Sequence, residues 1–244
     1  MKIEVKKLTK NFKNTLAVNN ISFEVNSGQT IGLLGPNGCG KTTSIGMILG
    51  LIKPTSGQVL IDNKDINKTD RCEVLSKINF ASPYIELPKK LTVKQNLEVY
   101  ARLYGIEDFN SRIEEISEDL NLEPFINRKN GELSSGQKNR VSLAKSLINK
   151  PKILLLDEPT ASLDPDVGDF VRKYIEKYKS KNKVTVLLAS HNMNEVERLC
   201  DSVVMMKAGK IVDHGTCADL IEKHGRNNLE EAFLKIARSN NELV

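Results

Sequence analysis

The sequence predicts an α/β protein with a mixed, mainly parallel sheet, and three observations carry that prediction. Two apolar runs without alternation, Ile153-Leu154-Leu155-Leu156 and Val184 to Ala189, read as strands buried on both faces. Stretches of helical periodicity separate such strands, as crossover connections require. A glycine-rich loop, Gly35-Pro36-Asn37-Gly38-Cys39-Gly40-Lys41-Thr42, stands between a strand candidate and a helix candidate.

The elements follow in order. Ile3-Val5 and Ile21-Phe23-Val25 alternate apolar with polar, so the first 60 or so residues read as β-rich. Asn26-Ser27-Gly28 is a turn before the strand Gln29 to Leu34. Thr43 to Leu49 is apolar at helical spacing, and Lys53 to Gly57 is expected to end a long first helix. Strand resumes at Gln58 to Ile61. Val93, Leu97, Tyr100, Ala101 and Tyr104 then mark a helix closed by Gly105. Residues 111 to 122 give a second helix, and a third opens near Ser134 and runs to about Asn149. Residues 84 to 149 therefore read as a helical insertion within one domain spanning 1–244. Helices over 166 to 180 and 193 to 199 alternate with strands over 153 to 156, 184 to 189, 202 to 206 and 210 to 213.

Bulk properties bound the function loosely. The chain has 244 residues, enough for one large domain or two small ones. Thirty-six Lys and Arg against 31 Asp and Glu leave a net charge of +5, which selects neither a membrane surface nor nucleic acid. The cysteines at 39, 72, 200 and 217 form no CxxC pair, so neither a zinc site nor a redox pair is expected. Their spread, without an apolar signal segment at the N-terminus, fits reduced thiols in the cytosol. The longest apolar runs are too short to span a bilayer.

The glycine loop has the full G-x-x-x-x-G-K-T pattern in strand–loop–helix context. Glycines let successive backbone N–H groups aim at one anion, and the following helix adds the positive end of its dipole. Lys41 supplies a mobile charge for β- and γ-phosphates, and the Thr42 hydroxyl is placed to ligate Mg²⁺. Asp157 and Glu158 emerge at the carboxyl end of a buried strand, where parallel sheets bind ligands. Asp157 is expected to hold Mg²⁺ through water, and Glu158 to polarise the attacking water. Leu133-Ser134-Ser135-Gly136-Gln137 opens another helix, with Ser134 as N-cap, and forms a second anion-facing helix start.

Leu133 to Gln137 resembles the LSGGQ signature of the ABC superfamily, with Ser135 in place of the first glycine. The order of motifs is similar over nearly the whole chain. Ser162-Leu163-Asp164 resembles the D-loop, His191 the switch histidine, and Phe12 the aromatic that stacks on adenine. The resemblance implies a P-loop NTPase core with a mixed, mainly parallel sheet, an N-terminal antiparallel β part and an inserted helical subdomain. It implies ATP and Mg²⁺ as cofactors and hydrolysis as the reaction. ATP would be held by Phe12, by the loop from Gly35 through Thr42 with Thr43, and by Ser134, Ser135, Gly136, Gln137 and Asp164. Glu158 would be general base, His191 would contact the γ-phosphate, and Lys41 would complete the catalytic set.

Two positions stand out within the resemblance. The family's glutamine after a strand ahead of the helical insertion is replaced here: Ile78 to Tyr84 puts Pro83 at that position, beside Ser82. Neither copies an amide ligand, which bears on Mg²⁺ affinity, hydrolysis and coupling. Cys39 lies inside the phosphate loop, where an accessible thiol would make binding sensitive to alkylation.

The resemblance implies a head-to-tail pair of ATP-binding subunits, with each ATP between one phosphate loop and the other signature helix. Asn194 to Asp201 and Leu229 to Ile236 look like the ATPase subunits of type-2 exporters, which work with a separate membrane permease. The second run is amphipathic and is expected to pack on its own domain. The implied place is the cytoplasmic face of the cell membrane, with no nucleic-acid partner. The alternatives are an importer ATPase, a soluble ABC ATPase acting on ribosomes or DNA, and a non-hydrolysing regulator. The transported substrate is not written in these residues.

Overall fold

The computed structural model describes the chain except Thr69, Tyr84, Ser162 and residues 239–244, together with the side chains of residues 237–238. In chain order the N-terminal elements are β1 (Ile3–Phe12), β2 (Thr15–Val25), β3 (Thr30–Leu34), α1 (Lys41–Ile48), β4 (Ser56–Ile61), β5 (Lys64–Asp65) and α2 (Arg71–Leu75). The middle elements are β6 (Ile78–Ala81), α3 (Val93–Leu103), α4 (Phe109–Asp119), α5 (Ser135–Leu147), β7 (Ile153–Asp157) and α6 (Pro165–Asn182). The last are β8 (Thr185–Ala189), α7 (Met193–Leu199), β9 (Ser202–Lys207), β10 (Lys210–Gly215), α8 (Cys217–His224) and α9 (Leu229–Arg238). The chain divides into two compact units, Met1–Val74 with Thr185–Val244, and Leu75–Val184.

The first unit holds two sheets. One is antiparallel in the order β2-β1-β4-β5. Ile3 faces Val25 on one side and Ile61 on the other, and Val5 faces Phe23 and Val59. That register puts Ile3, Val5, Val25, Val59 and Ile61 into the core, which is what their alternation dictates. The positive φ of Asp62 and Asn63 matches the tight hairpin turn between β4 and β5. In the other sheet β3 lies between β8 and β9, parallel to both, and β10 closes antiparallel on β9. All five residues of β3 and of β8 are buried, as expected of strands covered on both faces.

Leu34, Val196, Val203, Met205, Leu220 and Leu229 form a core cluster that Phe233 and Ile236 of α9 also join. The amphipathic run at 229–236 thus packs on its own unit. Several details depart from the sequence reading, in which α2 and β5 had no counterpart. The first helix is short, because α1 stops at Ile48 and Gly50 turns the chain at φ +65°. Helix α8 was not read, although Thr216 and Asp219 make a capping box at its start.

In the second unit β6 and β7 run parallel, Ile78 beside Ile153 through Ala81 beside Leu156. Helix α3 begins at a Thr92–Gln95 capping box and ends before Gly105, at φ +67°. Val93, Leu97 and Ala101 of α3, Ile113 and Ile116 of α4, and Val141, Ala144 and Leu147 of α5 are all buried. The Arg112 guanidinium donates to the Ile148 carbonyl at 3.1 Å and so ties α4 to the end of α5. Among the described residues no helix is long and apolar enough to cross a membrane.

Candidate nucleotide-binding site

The phosphate loop follows β3 and leads into α1, whose N-cap is Gly40 at φ 107° with no side chain capping the helix. The first N–H groups of α1 are therefore not claimed by a cap, and they carry the positive end of the helix dipole. A Cβ on Gly40 would sit 2.5 Å from the Ala17 carbonyl, and one on Gly35 would sit 2.4 Å from the Met206 carbonyl. Both glycines are required by close backbone approach. Gly38, at φ +78°, has nothing within 4 Å of such a Cβ, so it is required by backbone conformation alone. Pro36, Asn37, Gly38 and Thr42 are exposed and Thr43 is half-buried, whereas Cys39, Gly40 and Lys41 are buried.

The buried Lys41 ammonium donates to the Gly35 carbonyl at 2.6 Å and to the Pro36 carbonyl at 3.3 Å. These two contacts hold its charge over the loop. Cys39 is only 3% exposed, and burial pushes its thiol pKa up against the opposing pull of Lys41. The condition for alkylation sensitivity, an accessible thiol, is not met.

Phe12 ends β1 and is 45% exposed, with the Lys10 ammonium 4.8 Å from its ring centroid. It pairs with Thr15 in the β1–β2 hairpin, two residues from Ala17, whose carbonyl faces Gly40. A partly exposed aromatic ring on the strand pair that flanks a phosphate loop suits stacking on a base. His191 lies just past β8. Leu33 is in register with Ala189, so His191 leaves the sheet at the same carboxyl end as the phosphate loop.

The second unit carries the remaining residues. Asp157 ends β7 and is buried, and Glu158, also buried, adopts φ 53°. A glutamate in the left-handed region costs on the order of 1 kcal/mol, a strain that commonly marks functional sites. The turn is pinned from α5, where the Asn139 amide donates to the Pro159 carbonyl at 2.7 Å. Asn139 was not singled out from sequence, because its partner is 20 residues away and no local pattern marks the contact.

Ser134 caps α5 by accepting from the Gln137 N–H at 3.3 Å, and the Gln137 side chain accepts from the Ser134 N–H at 3.0 Å. Those two side chains are thus engaged in a capping box, which leaves the exposed Ser135 and the half-buried Gly136 as the outward part of the signature. Asp164 is exposed at the N-cap of α6, and its carboxylate makes no capping bond to that helix. Ser162 lies outside the described residues, as does Tyr84 at the edge of the helical insertion.

At the end of β6, Ser82 is buried and Pro83 is exposed. Pro83 lines a surface pocket together with Leu87, Ser135 and Leu163. Beside it, Lys145 of α5 donates its ammonium to the Phe80 carbonyl at 2.7 Å. Burial lowers the Lys145 pKa to about 8.

Comparison with known proteins identifies the family. The profile of the ABC transporter family matches residues 18–161. The ABC transporter ATP-binding protein NatA of Bacillus subtilis is 35% identical over 221 residues, 89% of each chain. The Nod factor export ATP-binding protein I of Burkholderia lata is also 35% identical, over 90% of this chain and 72% of that protein. Among solved structures, a dimeric ATP-binding cassette in a post-hydrolysis state with ADP and Pi superposes with a TM-score of 0.81 at 29% identity. The match covers 88% of this chain and 98% of that one. The chain accordingly belongs to the ABC transporter family, as an ATP-binding subunit with ATPase activity.

Proposed function

We propose that this subunit powers a separate membrane permease in the export direction, as one half of a head-to-tail ATP-binding pair. The observation that carries the reading is that one chain presents two helix starts of a kind suited to anions, at Gly40 ahead of α1 and at Ser134 ahead of α5. One nucleotide needs only one phosphate cradle, so the second is suited to the nucleotide of a partner subunit. The export-type name of one relative and the dimeric state of the cassette bound to ADP and Pi support the same reading.

In this reading Phe12 stacks on adenine, and the backbone of residues 35–43 wraps the phosphates. Lys41 turns from its two carbonyls to the β- and γ-phosphates. Glu158 takes a proton from the attacking water, and His191 meets the γ-phosphate. Ser135 and Gly136 face the partner's nucleotide, Ser134 and Gln137 shape that helix start, and Asp164 lies at the same interface. Among the described residues no three His, Cys, Asp or Glu gather into a metal cage. Mg²⁺ would be carried in with the phosphates, with Thr42 and Asp157 adding oxygens. Bound Mg²⁺ supplies charge neutralisation at the phosphates. The subunit works at the cytoplasmic face of the membrane through its permease, and no nucleic-acid partner is proposed.

A tagged pull-down from native membranes tests the partner. Co-purification of one polytopic protein of about six spans supports the reading, on the bilayer-length criterion for each span. Recovery of ribosomes or DNA-bound proteins in its place overturns it.

A further inference from the structure

The segment after β8 is held in a closed ring of hydrogen bonds that no part of the hydrolysis scheme above uses. Ser190 is fully buried, and its hydroxyl donates to Glu195 Oε2 at 2.6 Å. The same hydroxyl accepts from the Asn192 N–H at 3.1 Å. Asn192 in turn accepts through Oδ1 from the Glu195 N–H at 3.3 Å, capping α7. His191 is the exposed residue carried by this ring. Glu195 is 1% exposed, and a carboxylate is costly to bury, so helix capping alone does not require it there. A hydroxyl bonded to a carboxylate is a short, strong contact, and it fixes the backbone on both sides of residue 191.

We propose that the buried Ser190–Glu195 hydrogen bond orients His191 toward the γ-phosphate, which makes Ser190 and Glu195 positioning residues for hydrolysis. The inference rests on the assignment of His191 to the γ-phosphate. Removing the bond leaves the phosphate loop and the adenine contact untouched, so it acts on turnover and not on binding. A displacement of about 1 Å in a group that acts at the transition state is worth roughly one to two orders of magnitude in rate.

The test is steady-state and single-turnover ATP hydrolysis by Ser190→Ala, Ser190→Thr, Glu195→Gln, His191→Ala and the His191→Ala/Ser190→Ala double variant. Ser190→Ala is expected to lower kcat about tenfold with KM for ATP within about twofold, and Ser190→Thr to restore kcat. In the His191→Ala background the Ser190 change is expected to have no further effect, because its only route to the reaction is gone. If Ser190→Ala does not fold, Glu195→Gln carries the test, with a severalfold loss in kcat alone. If residual turnover in His191→Ala is undetectable, the split between kcat and KM and the threonine rescue decide. Unchanged kcat in both Ser190→Ala and Glu195→Gln, beside a large loss in His191→Ala, overturns the positioning role and leaves the role of His191 standing. An equal Ser190→Ala loss with and without His191 overturns it as well. Full turnover by His191→Ala overturns the role of His191 and the positioning role together.

Discussion

Gly40 and Gly38 belong to the same motif but are required for different physical reasons, and the difference is measurable. A methyl on Gly40 meets the Ala17 carbonyl at 2.5 Å, a backbone atom that cannot move without shifting β2. A methyl on Gly38 meets nothing and carries only the cost of positive φ, on the order of 1 kcal/mol. Titration with ATP should therefore show Gly40→Ala losing at least about a hundredfold in affinity and Gly38→Ala losing about tenfold or less. Equal losses would show that steric closeness at Ala17 is not what the motif protects. That residues 35–42 form a tight loop between a strand and a helix was legible, because the spacing of Gly35, Gly40 and Lys41 encodes a local turn. Their setting was not. The burial of Cys39, the carbonyl partners of Lys41 and the positive φ of Glu158 depend on neighbours that local spacing does not reveal.

Among the elements, α5 was read closely from sequence because its start is chemical: Ser134 and Gln137 form the box that begins it. Helix α7 was also read at residues 193–199, and in the structure Asn192 caps it. The short α1 was misread as long because its apolar run continues past Gly50, where only the backbone angle stops it. Lys145 on α5 was passed over as one more basic residue, and its burial gives that helix a pH dependence. Its folded pKa of about 8 lies below the 10.5 of an unperturbed lysine. Below about 8 both states hold the proton, and the buried charge costs stability in full. Between about 8 and 10.5 the folded state sheds its proton first, so this contribution to stability rises with pH. Against Lys145→Met, wild type should gain on the order of 3 kcal/mol across that interval in chemical denaturation. A stability difference that stays flat with pH would show that the buried amine does not titrate there.

For the whole molecule, the pairing scheme requires ATP to join two copies or a copy and a paralogue. The 27.2 kDa chain carrying Glu158→Gln should double in mass by light scattering in ATP and stay single in ADP. If it stays single while ATP is bound, the second helix start does not receive the nucleotide of a second copy, and pairing with a paralogue is what is left of the scheme. The Pro83 position also belongs at this scale, since the family resemblance implies that it bears on both metal binding and coupling. If the position reports on metal, Pro83→Gln should shift the Mg²⁺ dependence of hydrolysis severalfold, because it supplies an amide oxygen that proline lacks. An unchanged Mg²⁺ titration would show that the position does not report on metal. The alternation of buried strands and helices made the α/β class legible, and alternation at Ile3, Val5 and Ile21 to Val25 marked β1 and β2 as strands, while their antiparallel pairing was implied only by the resemblance. The permease and its cargo were not legible, because no residue that touches cargo is expected in this chain.

The most direct test of the central claim, that this chain hydrolyses ATP with Glu158 as base, is phosphate release by wild type and Glu158→Gln at saturating MgATP. The account predicts steady release by wild type and a loss of at least about a hundredfold in Glu158→Gln, with ATP binding retained. Wild-type turnover by Glu158→Gln would contradict the role of Glu158. ATP binding without phosphate release by either protein would contradict hydrolysis itself.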